Sequence, residues 1–357
     1  MTALPYPFLS DTFLSALETS GSVCPDTGWE PIHLKSKANK AEYFMPLYLK
    51  EHSMGEYVFD YSWANAYHQH GIDYYPKLVT SIPFTPSVGQ RIRSDSPVTM
   101  DICQDIIDEV IHIADETGAS SWHCLFPDES LLDLMGSDQL LKRSAVQYHW
   151  CNSNYESFDH YLSFMTARKR KTIKKERSEV AGQGITVEVL EGNQISETIW
   201  SLFFHLYERT YAKRNGTKGY LNSDFFKRIA SGMSEQIAMS VATKNNQPIA
   251  CALYLFDSNT LYGRYWGSLG EFPFLHFELC YYKGIEFAIS RGLQRYDAGA
   301  QGEHKLMRGF QPILTHSLHW IAEPEFRAAI QRFLAQETMA IQHHMDQAIE
   351  MLPFKKI

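Results

Sequence analysis

The chain has 357 residues, 44% hydrophobic and 13% aromatic, enough for about two domains with sizeable cores. Its net charge of -8 is unevenly spread: residues 1–150 hold 9 Lys+Arg against 20 Asp+Glu (-11), and residues 151–357 hold 24 against 21 (+3), so a polyanion is expected on the second half. Six scattered cysteines without a CxxC pair signal neither a zinc site nor a disulfide framework, and neither a basic-then-apolar leader nor an apolar run of about 18 residues is seen, so a soluble cytoplasmic chain is expected.

Taken in chain order, 29–51 reads as a hairpin with Ala38-Asn39 near its turn, and EYVFDYSW (56–63) as a third strand ending in Trp63. An insertion at 64–100 contains DYYPKLVTSIPFTP. A helix follows at 101–118, with Ile102, Ile106, Val110 and Ile113 on one face. Strands are predicted at 120–129 and 140–150. Ser157 is an N-cap candidate for one long helix whose second half is cationic: residues 168–177 contain seven Lys/Arg and one Glu. Residues 236–269 read as a three-stranded meander, turning at Asn245-Asn246 and Asp257-Ser258-Asn259. A helix at 275–293 has Gly292 as its C-terminal cap, and QRYDAGA is a short strand. The stretch AGAQGEHKLMRGF (298–310) sets three glycines beside Glu, His, Lys and Arg. A strand at 312–322 and a terminal helix at 324–352, with Phe326, Ile330, Phe333 and Leu334 as its stripe, complete the chain. The same order of meander, helix, strand and closing strand occurs twice, with LYL in each middle strand. This predicts a mixed-sheet α/β (α+β) protein of two duplicated domains, 1–150 and 151–357.

The segments EYVFDYSWANAY, DYYPKL, IPFTP, LFPDE, VQYHW, KRKTIKKER, LYGRYWGS, FLHFELCYY and GAQGEHKLMRGF, in that order, resemble the bacterial FemAB-like family of N-acyltransferases, also named peptidoglycan biosynthesis/recognition proteins. The resemblance implies two tandem GNAT-like domains and direct transfer of an acyl or aminoacyl group to an amine, with no tightly bound cofactor and no metal. Acyl-CoA and aminoacyl-tRNA both remain open as donor, and a small-molecule or cell-wall-precursor amine is the implied acceptor. A non-catalytic recognition protein is the alternative reading. DNA is not an expected partner.

Acyl transfer to an amine requires a base, a polarised carbonyl and donors for the oxyanion. Gly299 and Gly302 allow a backbone turn that exposes N–H groups. Glu303 or His304 is the candidate base, and Lys305 and Arg308 suit a phosphate or an oxyanion. Fem-type ligases have a comparable lysine after a glycine-rich turn, which by resemblance points to Lys305. The alternative is a salt-bridged turn. Arg264, Tyr265, Trp266, Gly267, His276 and Glu278 make a second candidate donor surface, with Arg264 and Trp266 expected on one strand face and Tyr265 on the other. The usual Arg/Gln-x-x-Gly-x-Gly/Ala pattern is missing there: Pro273 and Phe274 stand where glycines belong. Arg168, Lys169, Arg170, Lys171, Lys174, Lys175 and Arg177 form either a solvated face or a surface for tRNA, CoA or an anionic membrane. Asp128, Glu129, His149 and Trp150 are candidates for the acceptor side.

Overall fold

The computed structural model describes residues 3–35, 42–300 and 302–355, so the Ala38-Asn39 turn lies outside the described residues. The alternating segment 236–269 forms strands Ile237–Lys244, Gln247–Phe256 and Thr260–Ser268, as its pattern predicts. Asn245 and Asn246 both take positive φ (50° and 59°), the conformation that a two-residue hairpin turn demands and Asn tolerates. A helical segment then carries the chain to Arg295–Asp297, which pairs in parallel with Thr260–Tyr262. A second such crossover is formed by Lys77–Thr80 and Ser121–Leu125, which are also parallel, with helix Met100–Thr117 between them. Gly118 ends that helix in the left-handed conformation.

The chain divides into two compact units, but not at residue 150. One contains residues 17–146 and 314–344; the other contains 1–16, 147–313 and 345–357. The difference arises in the two closing strands, Leu141–Cys151 and Gln311–Ile321, which exchange partners. Residues 149–151 pair antiparallel with 295–297, whereas 317–321 pair antiparallel with 121–125. Periodicity predicts each strand correctly but carries no information about its partner.

In the 17–146 unit the described strands run Trp29–Pro31, Tyr48–Lys50, Lys77–Thr80, Ser121–Leu125, and then the 317–321 segment. Its core buries Met45, Leu47, Leu78, Ile106, Val110 and Trp122. The predicted strand at 56–63 is instead a loop followed by helix Tyr61–Gln69, with Trp63 and Tyr67 facing a core that includes Ile330 and Leu334. Phe333, placed in the stripe by sequence, is 41% exposed.

The loop at 56–60 has a physical reason: it carries Glu56 and Asp60 to a fully buried lysine. Lys77 Nζ donates to Ser53 Oγ at 2.8 Å, Glu56 Oε2 at 2.8 Å and Asp60 Oδ2 at 2.5 Å. Burying an ammonium is costly, and partners of this kind offset the cost. The two carboxylates hold the Lys77 pKa above its ordinary value against the opposing effect of burial. Replacing Lys77 by Met leaves Glu56 and Asp60 buried without a counterion; a loss of about 3–5 kcal/mol in chemical denaturation is expected.

In the other unit the sheet order is 149–151, Arg295–Asp297, Thr260–Ser268, Gln247–Phe256, Ile237–Lys244, Ile185–Glu191. The single cationic helix predicted from Ser157 is two helices, Phe158–Ser163 and Ala167–Gly182. The break holds because Met165 bridges to Phe354 and Thr166 N–H donates to Pro353 O at 2.9 Å. The terminal helix runs Pro324–Glu350.

Candidate functional site

Residues 303–308 form a 3-10 turn flanked by Gly302 and Gly309 at φ of 114° and 81°. The turn sorts its charges by burial. Lys305 is 1% exposed and Arg308 7%, while Glu303 and His304 lie at the surface. Lys305 Nζ donates to the carbonyl of Gly299, itself at a φ of 88°. Burial pushes the Lys305 pKa down to about 8, with the Asp297 carboxylate partly offsetting it. His304 Nε2 lies 2.7 Å from Tyr281 Oη; partial desolvation of its ring, then Arg308 and Lys305, lower its pKa.

Arg308 is engaged by protein at all three guanidinium nitrogens. Its Nη2 reaches Glu176 Oε1 at 2.9 Å, Nε reaches Tyr282 Oη at 3.0 Å, and Nη1 reaches the His304 carbonyl at 2.9 Å, with Phe277 against the guanidinium face. Glu176, the single acid within the basic run, faces inward. Arg177 beside it also turns inward, to Glu278 (2.8 Å) and Glu286 (2.6 Å). Sequence assigned Arg308 and Glu278 to the donor and Arg177 to a polyanion; in the fold each is held by an internal ion pair. Arg168, Lys171, Lys174 and Lys175 remain exposed, and Lys169 and Arg170 are half-buried. Lys174 pairs with Asp159 at 2.8 Å, and Lys169 reaches the Met307 sulfur at 3.3 Å.

The helical segment after the meander starts at Leu275, opens into a π-helical turn at Glu278–Tyr282 and resumes at Lys283–Ser290. Such turns are frequent at functional sites. Phe274 adopts φ 63°, so the glycine-type backbone occurs here without glycine. His276 is half-buried with its ring centroid 4.6 Å from that of Trp266; burial pushes its pKa down to about 3, so it is neutral.

Strict alternation fails at Arg264. Leu253 pairs with Tyr265 and Tyr254 with Gly263, so Arg264 is the extra residue of a bulge. Its guanidinium lies 5.5 Å from the Tyr265 ring and 5.6 Å from Phe8, and Tyr265 packs on Tyr207. Gly267 is a packing glycine: a Cβ there would stand 2.5 Å from the Leu206 carbonyl oxygen.

Asp128 caps helix Glu129–Leu134 by accepting from Leu131 N–H at 2.9 Å, and Glu129 is an exposed first-turn acid. His149 and Trp150, by contrast, are carried by strand exchange beside Lys305's neighbours: His149 is paired with Asp297 and Trp150 with Tyr296. Asp297, 1% exposed, accepts from Gly299 N–H at 2.8 Å, and His149 Nε2 lies 3.6 Å from its Oδ1. Sequence reasoning missed Asp297, Glu176 and Tyr281; the one signal was Asp297 standing directly before the glycine-rich turn. Among the described residues no cluster of His, Cys, Asp and Glu is suited to a metal, and no helix is long and apolar enough to cross a membrane.

Gly267→Ala is expected to destabilise the protein by about 1–3 kcal/mol in thermal or chemical unfolding. Unchanged stability with weakened donor binding would instead give Gly267 a ligand role.

Residues 1–356 match the family described as FemAB-like, peptidoglycan biosynthesis/recognition, and the chain belongs to that family. No curated protein matches the sequence. Among solved structures, FemX aligns with a TM-score of 0.54 at 11% identity, over 92% of this chain and 96% of that one. L-PGS from Bacillus licheniformis aligns with a TM-score of 0.53 at 10% identity, over 93% and 98% respectively. At these identities the likeness is one of fold.

Proposed function

We propose that this FemAB-like chain transfers an acyl or aminoacyl group from an ester- or thioester-activated donor to an amine by direct attack, with Lys305 as the cation that receives the donor's carbonyl oxygen. The observation that carries this reading is the buried Lys305 ammonium, which already donates to a carbonyl, that of Gly299. A substrate carbonyl that replaces the Gly299 oxygen meets the same donor in a water-poor setting, where stabilisation of a developing oxyanion is strongest. Family membership and the FemX-like fold support transfer chemistry, with a peptidoglycan precursor as acceptor. The exposed cations Arg168, Lys171, Lys174 and Lys175 lie on the helix that also supplies Glu176 to Arg308. They support aminoacyl-tRNA as the donor over acyl-CoA, because a long polyanion uses a charged helix face that a small cofactor does not.

Turnover with charged tRNAs and acyl-CoAs, using an amine-bearing cell-wall peptide as acceptor, tests the reading. Lys305→Met is expected to lower kcat by about 10²–10³-fold; wild-type kcat in that variant excludes the role. The pH dependence has a definite sign. The Lys305 pKa is lowered to about 8, so its charge is lost as pH rises through that value and transfer falls there. Replacing Lys171, Lys174 and Lys175 by Glu is expected to weaken tRNA binding and make its log–log salt dependence shallower by roughly 2–3, at about 0.7–0.9 per phosphate contact. An unchanged slope leaves those lysines as a solvated face.

A further inference from the structure

The two surface groups marked by sequence, Glu303 and His304, are not the best-placed groups for handling an ammonium. A carboxylate and an imidazole are buried together beside Lys305. Asp297 is 1% exposed; its Oδ1 accepts from Gly299 N–H at 2.8 Å, while its buried Oδ2 has no hydrogen-bond partner among the described residues. Leaving a buried carboxylate oxygen unmet is costly, and an incoming N–H donor removes the cost. His149, 4% exposed, stands opposite Asp297 in the strand register. Its Nε2 lies 3.1 Å from Gln147 Oε1 and 3.6 Å from Asp297 Oδ1; with the imidazole proton on Nε2, facing these two acceptors, Nδ1 is the nitrogen that acts as base. Lys305 and Arg295 are the cations that bear on this imidazole, and Asp297 is the anion.

We propose that Asp297 and His149 form the amine station of the site: the acceptor is a primary ammonium that docks on Asp297 Oδ2 and gives one proton to His149 Nδ1. This rests on the transferase reading above. The freed amine nitrogen attacks the donor's carbonyl carbon, a C–N bond forms, and the oxyanion gathers on Lys305. The C–O or C–S bond of the ester or thioester then breaks. His149 returns its proton to the leaving oxygen or sulfur, and the remaining excess proton on nitrogen passes to the emptied His149, leaving a neutral amide. A primary ammonium fits the free Oδ2 because it brings charge and three donors, as Lys77 brings to Ser53 and to its two buried carboxylates.

The test uses the full chain and n-butylammonium as probe, read by the imidazole resonances of His149 in histidine-labelled protein. A saturable shift is expected in the wild type, absent with tetramethylammonium, which lacks N–H donors, and lost in Asp297→Asn with an unchanged circular-dichroism spectrum. No shift in the wild type, or an equal shift in Asp297→Asn, overturns the proposal. If Asp297→Asn fails to fold, His149→Gln decides. It is expected to keep the thermal shift induced by n-butylammonium while kcat for the amine acceptor falls about 10²–10⁴-fold, and wild-type kcat would overturn the base role. Ammonium binding without any transfer from any donor removes the transferase reading instead, so the two failures are distinguishable.

Discussion

The antiparallel register that sets Asp297 opposite His149 is the constraint on which the site depends. It joins residues far apart in sequence, and a slip of one position would present Trp150 or Tyr148 to Asp297 and reverse the faces of the strand. The neighbouring turn is fixed with equal economy. Tyr161 Oη donates to the Arg308 carbonyl at 2.5 Å, and Gly309 has no room for a side chain beside that hydroxyl. Arg308 is pinned by Glu176 and Tyr282. With the turn held at its C-terminal end, Lys305 lies inward, and the Gly299 peptide meets it with its oxygen and Asp297 with its nitrogen.

Three charge clusters are arranged in the same manner. Lys77 with Glu56 and Asp60, Arg308 with Glu176, and Arg177 with Glu278 and Glu286 are each joined by short hydrogen bonds. Such pairs stabilise little in net terms, but breaking one is expensive, so they fix which conformation is adopted. Lys305 departs from this pattern. Its hydrogen bond goes to a neutral carbonyl, and Asp297 acts on it only through the electrostatic field. A cation held by so replaceable a partner is suited to exchanging that partner for a substrate.

Much of the architecture was legible because it depends on local chemistry. Asn245-Asn246 announced its turn, Gly292 its helix end, and the alternation of 236–269 its strands. Residues 56–63 were misread as a strand because their apolar alternation coincides with a loop that must deliver Glu56 and Asp60 to Lys77, a partner invisible to local periodicity. The strand exchange was hidden for the same reason. In the candidate site, the glycine setting singled out Lys305, which the fold buries. The internal ion pairs of Arg308, Glu278 and Arg177 were not legible, since a charged residue's sequence position does not reveal whether its counterion is a ligand or another side chain. Asp297 was passed over because a lone acid at the end of a short strand reads as a turn residue.

The buried state of the Lys305 ammonium underlies the whole functional reading, and it is directly measurable. Titration of the Lys305 side-chain resonances in lysine-labelled full-length protein, assigned by their loss in Lys305→Arg, reports it without any substrate. A midpoint of about 8 is predicted. A midpoint at the ordinary lysine value of 10.5 would contradict it, because the ammonium would then be solvated and unable to act as a desolvated carbonyl-binding cation.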